Sequence, residues 1–221
     1  MASKLIVIEG LDGSGKGTQS ALVTQTLIDR GFSVRKLTFP DYDSASSSLV
    51  KMYLGGELGD TPDDVNAYAA SSFYAVDRVA SYLKDWKKDY ENCDYIVADR
   101  YVTSNLIYQM TKVKDIERDD FIAWLEDYEY NRLCVPKPDV VIYLDVPPVI
   151  SQKLMSTRYN GDESKKDIHE KNMNFLLSCR ESALYAQQKL GWISLSCADS
   201  DNMKSIETIT QQILDIIDKK L

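Results

Sequence analysis

The chain has 221 residues, of which 44% are hydrophobic, so it can bury one sizeable core and is short for two independent domains. Its 34 Asp and Glu residues outnumber 26 Lys and Arg residues, and the net charge of −8 argues against nucleic acid or a membrane surface as a partner. Four widely spaced cysteines without a CxxC pair are expected to be reduced thiols, not a zinc site or a disulfide framework.

The N-terminal apolar run ends at Glu9, too early for a signal peptide or a membrane-spanning helix, so we expect a cytoplasmic protein. Five short apolar runs predict buried strands at residues 5–8, 34–39, 95–98, 140–144 and 193–196. Helical patterns occupy residues 16–30, 46–54, 62–90, 103–112, 118–128, 149–156, 169–190 and 204–219. This alternation predicts a parallel sheet with helices on both faces, in a single domain spanning residues 1–221.

A glycine-rich segment, GLDGSGKGT, joins the first predicted strand to the first predicted helix. Its glycines permit a tight path in which successive backbone N–H groups point at an anion, and Lys16 adds a positive charge at the start of the helix. A plain strand-to-helix turn is the alternative, but the context favours a phosphate site. We therefore predict that nucleoside triphosphate is bound by Gly10, Leu11, Asp12, Gly13, Ser14, Gly15, Lys16, Gly17 and Thr18.

The segment departs at one position from the general pattern GxxxxGK[ST]. Gly17 follows the lysine, and the hydroxyl arrives one residue later, at Thr18. A magnesium ligand directly after the lysine is therefore missing, and we expect Thr18 to act at a distance or through water.

Phosphate binding alone would suit a kinase, a GTPase or an ATP-driven regulator, so the remaining segments must discriminate. FPDY begins at Phe39, YAVDR at Tyr74, DRYVTSN at Asp99 and PKPD at Pro136. The first and third of these follow predicted strands, and the carboxyl ends of parallel strands face the ligand crevice. We expect both to lie beside the phosphate loop.

Together with YLDVPP at residues 143–148, these segments resemble the thymidylate kinase family, ATP-dependent dTMP kinases among the P-loop nucleoside monophosphate kinases. The resemblance runs from residue 5 to about residue 185, and the order and spacing of the motifs make it specific. It implies a P-loop NTPase three-layer α/β sandwich with strand order 2-3-1-4-5 and a lid at about residues 157–170. It also implies ATP as phosphate donor, Mg2+ as cofactor, a homodimer, and the conversion of dTMP to dTDP for dTTP biosynthesis.

The resemblance assigns roles to residues of the acceptor site. It implies that Arg100 holds the acceptor phosphate, that Asp12 orients the incoming nucleotide and that Tyr108 packs under its sugar. Tyr42 stands where many members have an arginine, which removes a charge from that contact. The implied dTMP site comprises Asp12, Phe39, Tyr42, Tyr74, Arg78, Arg100, Ser104, Asn105 and Tyr108.

Base recognition follows from the same resemblance. Tyr74 and Arg78 are four residues apart on one helix face, and the family uses such a pair to stack on thymine and to reach a base carbonyl. Ser104 and Asn105 have the donors and acceptors that reading a pyrimidine edge requires. Without the resemblance, a core aromatic and an ordinary helix start remain the alternatives.

Catalysis is expected to need a cation from the lid, because Gly13 stands where some members carry an arginine. Arg158, with Lys165 or Lys166 second, is the candidate to neutralise charge on the transferred phosphoryl group. The predicted catalytic set is Lys16, Arg100, Asp12 and Arg158; the predicted metal set, partly through water, is Asp99, Thr18 and Glu170. His169 is expected to be a surface residue at the lid's edge.

Two other functions remain open from the sequence. GKGTQ also resembles adenylate kinases, so the acceptor could be dUMP, dCMP or another monophosphate. A P-loop regulatory module without an acceptor is the other possibility, although the guanine-reading string NKxD is missing.

Overall fold

The computed structural model describes residues 2–158, 173–199 and 202–221, with side chains described up to residue 154 in the first range. Five parallel strands form one sheet in the order β2-β3-β1-β4-β5, which confirms the predicted fold. The strands are β1 (Lys4–Gly10), β2 (Val34–Thr38), β3 (Tyr95–Asp99), β4 (Val140–Asp145) and β5 (Ile193–Ser196).

Nine α-helices lie in the described ranges and cover the sheet. They are α1 (Lys16–Asp29), α2 (Ser48–Leu54), α3 (Ala67–Ser81), α4 (Lys87–Asn92), α5 (Ser104–Tyr108), α6 (Arg118–Glu126), α7 (Pro148–Arg158), α8 (Met173–Leu190) and α9 (Ile206–Lys220). None of these helices has the length and apolar character that crossing a bilayer requires.

The single helix predicted over residues 62–90 is wrong. Pro62–Asp64 forms a 3-10 turn, and α3 begins only after Asn66, whose side chain accepts a 2.9 Å hydrogen bond from the Ala69 N–H. A π-helical turn, Tyr82–Trp86, then separates α3 from α4. Apolar periodicity continued across both interruptions and so did not reveal them.

Other boundaries also differ from the predictions. The helix expected over residues 103–112 is α only for Ser104–Tyr108 and continues as a 3-10 turn, and α6 ends in a π-helical turn, Asp127–Arg132. A small antiparallel pair, β6 (Ala198–Asp199) and β7 (Asn202–Met203), was not predicted, because two residues per strand carry no periodic signal.

Alternation along β1 divides the core between the two faces of the sheet. Leu5 and Val7 belong to one buried cluster, with aromatic residues of α4 to α6 and of the π-helical turn that precedes α4. Ile6 and Ile8 belong to the other, with apolar residues of α1 and α9. A strand buried on both faces explains why the run at residues 5–8 is continuously apolar.

The register of the sheet brings three strand ends to one edge. Ile8 pairs with Asp99 at the end of β3, and Gly10 pairs with Leu144 near the end of β4. Since β1 lies between β3 and β4, and the chain crosses from one side of β1 to the other after β3, this edge lies at a topological switch point, where ligands of open α/β sheets bind.

Candidate active site

The segment at residues 10–18 forms a tight loop between β1 and α1. Gly13 and Gly15 have φ values of 77° and 85°, in the left-handed region that glycine adopts most easily. A Cβ atom on Gly10 would lie 2.5 Å from Oγ of Ser14 and 3.0 Å from the Leu144 carbonyl oxygen, so a side chain there would crowd the loop. Its backbone N–H groups and the start of α1 suit an anion.

The Lys16 side chain lies under this loop. Its Nζ donates a 2.7 Å hydrogen bond to the Leu11 carbonyl and lies 4.0 Å from Oδ1 of Asp12. Burial, followed by the nearby charge of Arg100, lowers the pKa of Lys16 to about 8. A buried ammonium at this position can neutralise an incoming phosphate.

Arg100, Asp12 and Tyr108 form a polar triangle at the end of β3. The Arg100 guanidinium donates to the Asp12 carboxylate and, at 3.2 Å, to the Tyr108 hydroxyl, which in turn donates to Asp12 at 2.9 Å. Burial by itself would lower the pKa of Arg100, but the Asp12 charge holds it well above its usual value. The guanidinium is therefore a permanent positive charge next to the phosphate loop.

Glu9, the last residue before the loop's first glycine, anchors the turn that carries Arg100. Its side chain is 0% exposed and accepts hydrogen bonds from the Tyr101 N–H at 3.2 Å, the Thr103 hydroxyl at 2.7 Å and the Ser104 hydroxyl at 2.8 Å. Arg100 itself has a positive φ of 67°, a conformation that non-glycine residues rarely adopt. Burial raises the pKa of Glu9.

A cleft opens beside the triangle. Its lining comprises Asp12, Phe39, Pro40, Tyr42, Leu54, Tyr74, Arg78, Arg100, Tyr101, Ser104, Asn105, Tyr108 and Gln109. All nine residues of the predicted dTMP site are among them, although they come from four separate segments of the chain. Phe73, next to Tyr74, is not in the lining, as the helical spacing predicts.

The far wall of the cleft is held by buried polar contacts. Arg78 is 2% exposed and forms a two-bond ion pair with Glu129, through Nε to Oε2 at 2.7 Å and Nη2 to Oε1 at 2.5 Å. Asn105 donates its amide to Oε1 of the same carboxylate at 3.2 Å. Burial would lower the pKa of Arg78, and the Glu129 carboxylate raises it.

Comparison with known proteins identifies the family. A family model described as thymidylate kinase matches residues 8–213. The thymidylate kinase of Mycobacterium tuberculosis is 31% identical over 193 residues, covering 85% of this chain and 87% of that protein. The chain belongs to the thymidylate kinase family. A probable thymidylate kinase of Thermococcus onnurineus is 30% identical over 219 residues, with 98% of each chain covered.

The fold gives independent agreement. The solved structure of thymidylate kinase from Candida albicans superposes with a TM-score of 0.67 at 21% identity, covering 99% of this chain and 92% of that one. The reaction of the thymidylate kinase family is the phosphorylation of dTMP by ATP, in nucleotide biosynthesis, and the chain is accordingly an ATP-dependent kinase.

Several residues of this thymidylate kinase site were missed by sequence reasoning. Gln109 lies four residues after Asn105, is 1% exposed, and has a buried Oε1 without a hydrogen-bond partner among the described residues. That i, i+4 spacing was the available signal for it. Glu9 and Glu129 had no local signal, because their partners are distant in sequence.

The predicted metal and lid residues are only partly described. Asp99 is 8% exposed, and its Oδ2 would lie 3.3 Å from a Cβ on Gly17, so it sits against the first turn of α1. Thr18 is exposed on that turn. Glu170, Lys165, Lys166 and His169 lie outside the described residues, as does the Arg158 side chain. Within the described ranges, no three His, Cys, Asp or Glu side chains converge as a metal-binding group.

Proposed function

We propose that the chain divides dTMP phosphorylation between two adjoining parts of this site, with ATP on the loop at residues 10–18 and dTMP in the cleft. The observation that carries the proposal is the contact between Asp12 of the loop and Arg100 of the cleft. Because the two parts meet at this ion pair, donor and acceptor phosphates would be held next to each other, which is the main requirement of phosphoryl transfer.

Charge neutralisation is assigned to the cations around that junction. Lys16 would bind the outer phosphates of ATP, and Arg100 would hold the acceptor phosphate bidentately with its planar guanidinium. Asp12 occupies Arg100 in the free protein and would orient the acceptor once phosphate competes for the guanidinium. We also assign transition-state stabilisation to Arg158, and this stays a prediction from the sequence.

Recognition of the nucleoside is assigned to the remaining lining. Tyr74 would stack on thymine, with Arg78 donating to a base carbonyl and Ser104 and Asn105 meeting the base edge. Tyr108 would pack under the sugar, while Phe39 and the half-exposed Tyr42 would close the sides. Ser104 already donates to Glu9, so its hydroxyl oxygen would face the ligand as an acceptor.

Magnesium is proposed as the cofactor, and the residues present fit it. Mg2+ is commonly held by one or two carboxylates, substrate phosphates and water, so a dedicated cage of protein ligands is not needed. Asp99 beside the first turn of α1 and the exposed Thr18 would contact the ion through water. The ion would supply further positive charge to the phosphates. Glu170 stays a prediction.

A homodimer and a cytoplasmic location complete the proposal. Helices α2 and α3 pack together, and Leu49 on α2, Val76 on α3 and Leu83 in the π-helical turn after α3 are 40%, 44% and 66% exposed, which supports an apolar surface for a second copy. Light scattering should give the mass of two chains, and Leu83→Glu should reduce it to one. The four free thiols support a reducing compartment.

A coupled assay of ADP release across nucleoside monophosphates tests the activity. We expect dTMP to be the preferred acceptor and Arg78→Ala to raise its KM. ADP release that ignores every monophosphate would overturn the proposal in favour of a regulatory ATPase. Preference for dCMP would identify a kinase with a different acceptor.

A further inference from the structure

Glu129 is a buried carboxylate just behind the wall of the cleft. It lies in the π-helical turn after α6, is 0% exposed, and is absent from the cleft lining. Its two oxygens nevertheless contact two lining residues that can hydrogen-bond a base edge, Arg78 and Asn105. One side chain outside the cleft thus orients two side chains inside it.

The chemistry of a carboxylate decides which way the Asn105 amide faces. An ionised carboxylate only accepts hydrogen bonds, so the Asn105 nitrogen, not its oxygen, must face Glu129. The same nitrogen has a longer contact, 3.5 Å, to the Ser71 carbonyl, another group that only accepts. Asn105 Oδ1 is therefore the amide atom left for a ligand.

Arg78 offers the complementary group. A guanidinium only donates; Glu129 holds its Nε and Nη2, and its Nη1 has a 3.4 Å contact with the Tyr101 carbonyl, which leaves the second Nη1 hydrogen for a ligand. The wall consequently combines a donor from Arg78 with an acceptor from Asn105. Thymine and uracil carry a carbonyl oxygen next to a ring N–H and fit that combination, whereas cytosine carries an amino group next to a bare ring nitrogen and opposes it at both atoms.

We propose that Glu129 is the positioning residue that sets the pyrimidine selectivity of the cleft, by fixing the Asn105 amide and the Arg78 fork in the arrangement that accepts thymine and uracil and rejects cytosine. This inference rests on the proposed binding of dTMP in the cleft. A purely structural ion pair between Arg78 and Glu129 would not require the third bond to Asn105.

Glu129→Gln tests the inference with little change in shape. The Gln NH2 group replaces one of the two oxygens, so one Arg78 N–H loses its acceptor. With the NH2 group at the Oε1 position it also faces Asn105, whose amide then turns over and presents its nitrogen to the base. We expect kcat/KM for dTMP to fall about tenfold to a hundredfold, mostly through KM. The value for dUMP, which has the same edge, should fall by the same factor, while that for dCMP should hold or rise.

The controls separate selectivity from damage to the fold. Glu126→Gln removes a carboxylate at the end of α6, together with its 2.8 Å contact with Lys137. This variant should leave kcat/KM unchanged for dTMP, dUMP and dCMP. A merely structural effect of Glu129→Gln would lower dTMP, dUMP and dCMP turnover equally, and that result overturns the inference. A wild-type enzyme that ignores dTMP would instead refute the proposed function.

A second variant covers the case in which Glu129→Gln does not fold. Asn105→Ala leaves the Arg78–Glu129 pair intact and removes the acceptor, so dTMP and dUMP should again lose about tenfold in kcat/KM relative to dCMP. An unchanged ratio of kcat/KM for dTMP to kcat/KM for dCMP overturns the inference. If both variants fold, their effects on the ratio should be far from additive, because Glu129 acts through Asn105.

Discussion

The Glu9 carboxylate and the Thr103 hydroxyl form a 2.7 Å hydrogen bond that ties the end of β1 to the turn carrying Arg100. Since Arg100 has a positive φ, the turn needs outside contacts to hold it. Thr103→Val keeps the side-chain shape and deletes this donor. We expect kcat for dTMP to fall about tenfold through misplacement of Arg100, with ATP affinity unchanged.

Denaturant unfolding provides the second readout for Thr103→Val. Removing one donor from a buried carboxylate should cost about 1–3 kcal/mol of unfolding free energy. Thr26→Val, at an exposed hydroxyl on α1, is the matched control and should alter neither kcat nor stability appreciably. Normal kcat in Thr103→Val would mean that Glu9 does not position Arg100.

The pKa of Lys16 predicts how the affinity for ATP depends on pH. Phosphate binding requires the ammonium form, and the pKa of Lys16 in the free protein is about 8. Below that pH the charge is already present, so affinity should be nearly flat. Above it, binding must take up a proton, and the dissociation constant should rise by up to about tenfold per pH unit. Calorimetric titration from about pH 6 to about pH 10 measures this.

Two variants isolate the contribution of Lys16. Lys16→Arg cannot titrate in this range, so its affinity should lose the decline above pH 8 whatever its absolute strength. Lys112 also has a pKa of about 8, caused by burial, but lies outside the cleft lining, so Lys112→Met should keep the wild-type profile. An unaltered decline in Lys16→Arg would assign the effect to another group.

Local patterns were sufficient for the sheet and for the phosphate loop. The strand predicted over residues 140–144 is β4, Val140–Asp145, because a buried parallel strand is a continuous apolar run between turns. The loop combines its glycines and Lys16 in one short stretch. In both cases, the residues that produce the structure are the same few residues that form the recognisable sequence pattern.

The residues that hold the site in shape could not be predicted in this way. Glu9 bonds to Thr103 across 94 positions, and Arg78 bonds to Glu129 across 51. A glutamate at a strand end or in a helical segment resembles any solvated charge until the fold brings its partner near. The π-helical turn that carries Glu129 also has no periodicity of its own.

The contacts of Asp77 predict that replacing this residue weakens the binding of dTMP specifically. Its carboxylate accepts the Asp41 N–H at 2.9 Å and the Ser46 hydroxyl at 2.7 Å, which fixes the loop that contains Phe39 and Tyr42 against α3. Asp77→Asn replaces one accepting oxygen with a donor and should loosen that loop. We expect the KM for dTMP to rise about tenfold while kcat and the KM for ATP change little.

Steady-state kinetics with each substrate varied in turn tests the Asp77 prediction. Asp85→Asn removes an exposed carboxylate that pairs with Arg35 and should have no kinetic effect. A rise in the KM for ATP equal to that for dTMP would indicate general disruption of the fold, not loosening of the acceptor loop.

Replacing Gly17 tests the Mg2+ requirement, because the new side chain can supply a hydroxyl. A side chain there would place its Cβ 3.3 Å from Oδ2 of Asp99, a contact that a small shift of that carboxylate relieves. Gly17→Ser supplies the hydroxyl that the general pattern has after the lysine. We expect the Mg2+ concentration for half-maximal activity to fall about tenfold, because one water-mediated contact becomes a direct ligand.

Gly17→Ala is the matched control, since it adds the same Cβ without the hydroxyl. Both variants should shift the denaturant midpoint by a similar amount, because both place the same Cβ against Asp99. Only Gly17→Ser should change the Mg2+ dependence. Equal Mg2+ requirements in the two variants would show that a hydroxyl at position 17 does not reach the metal.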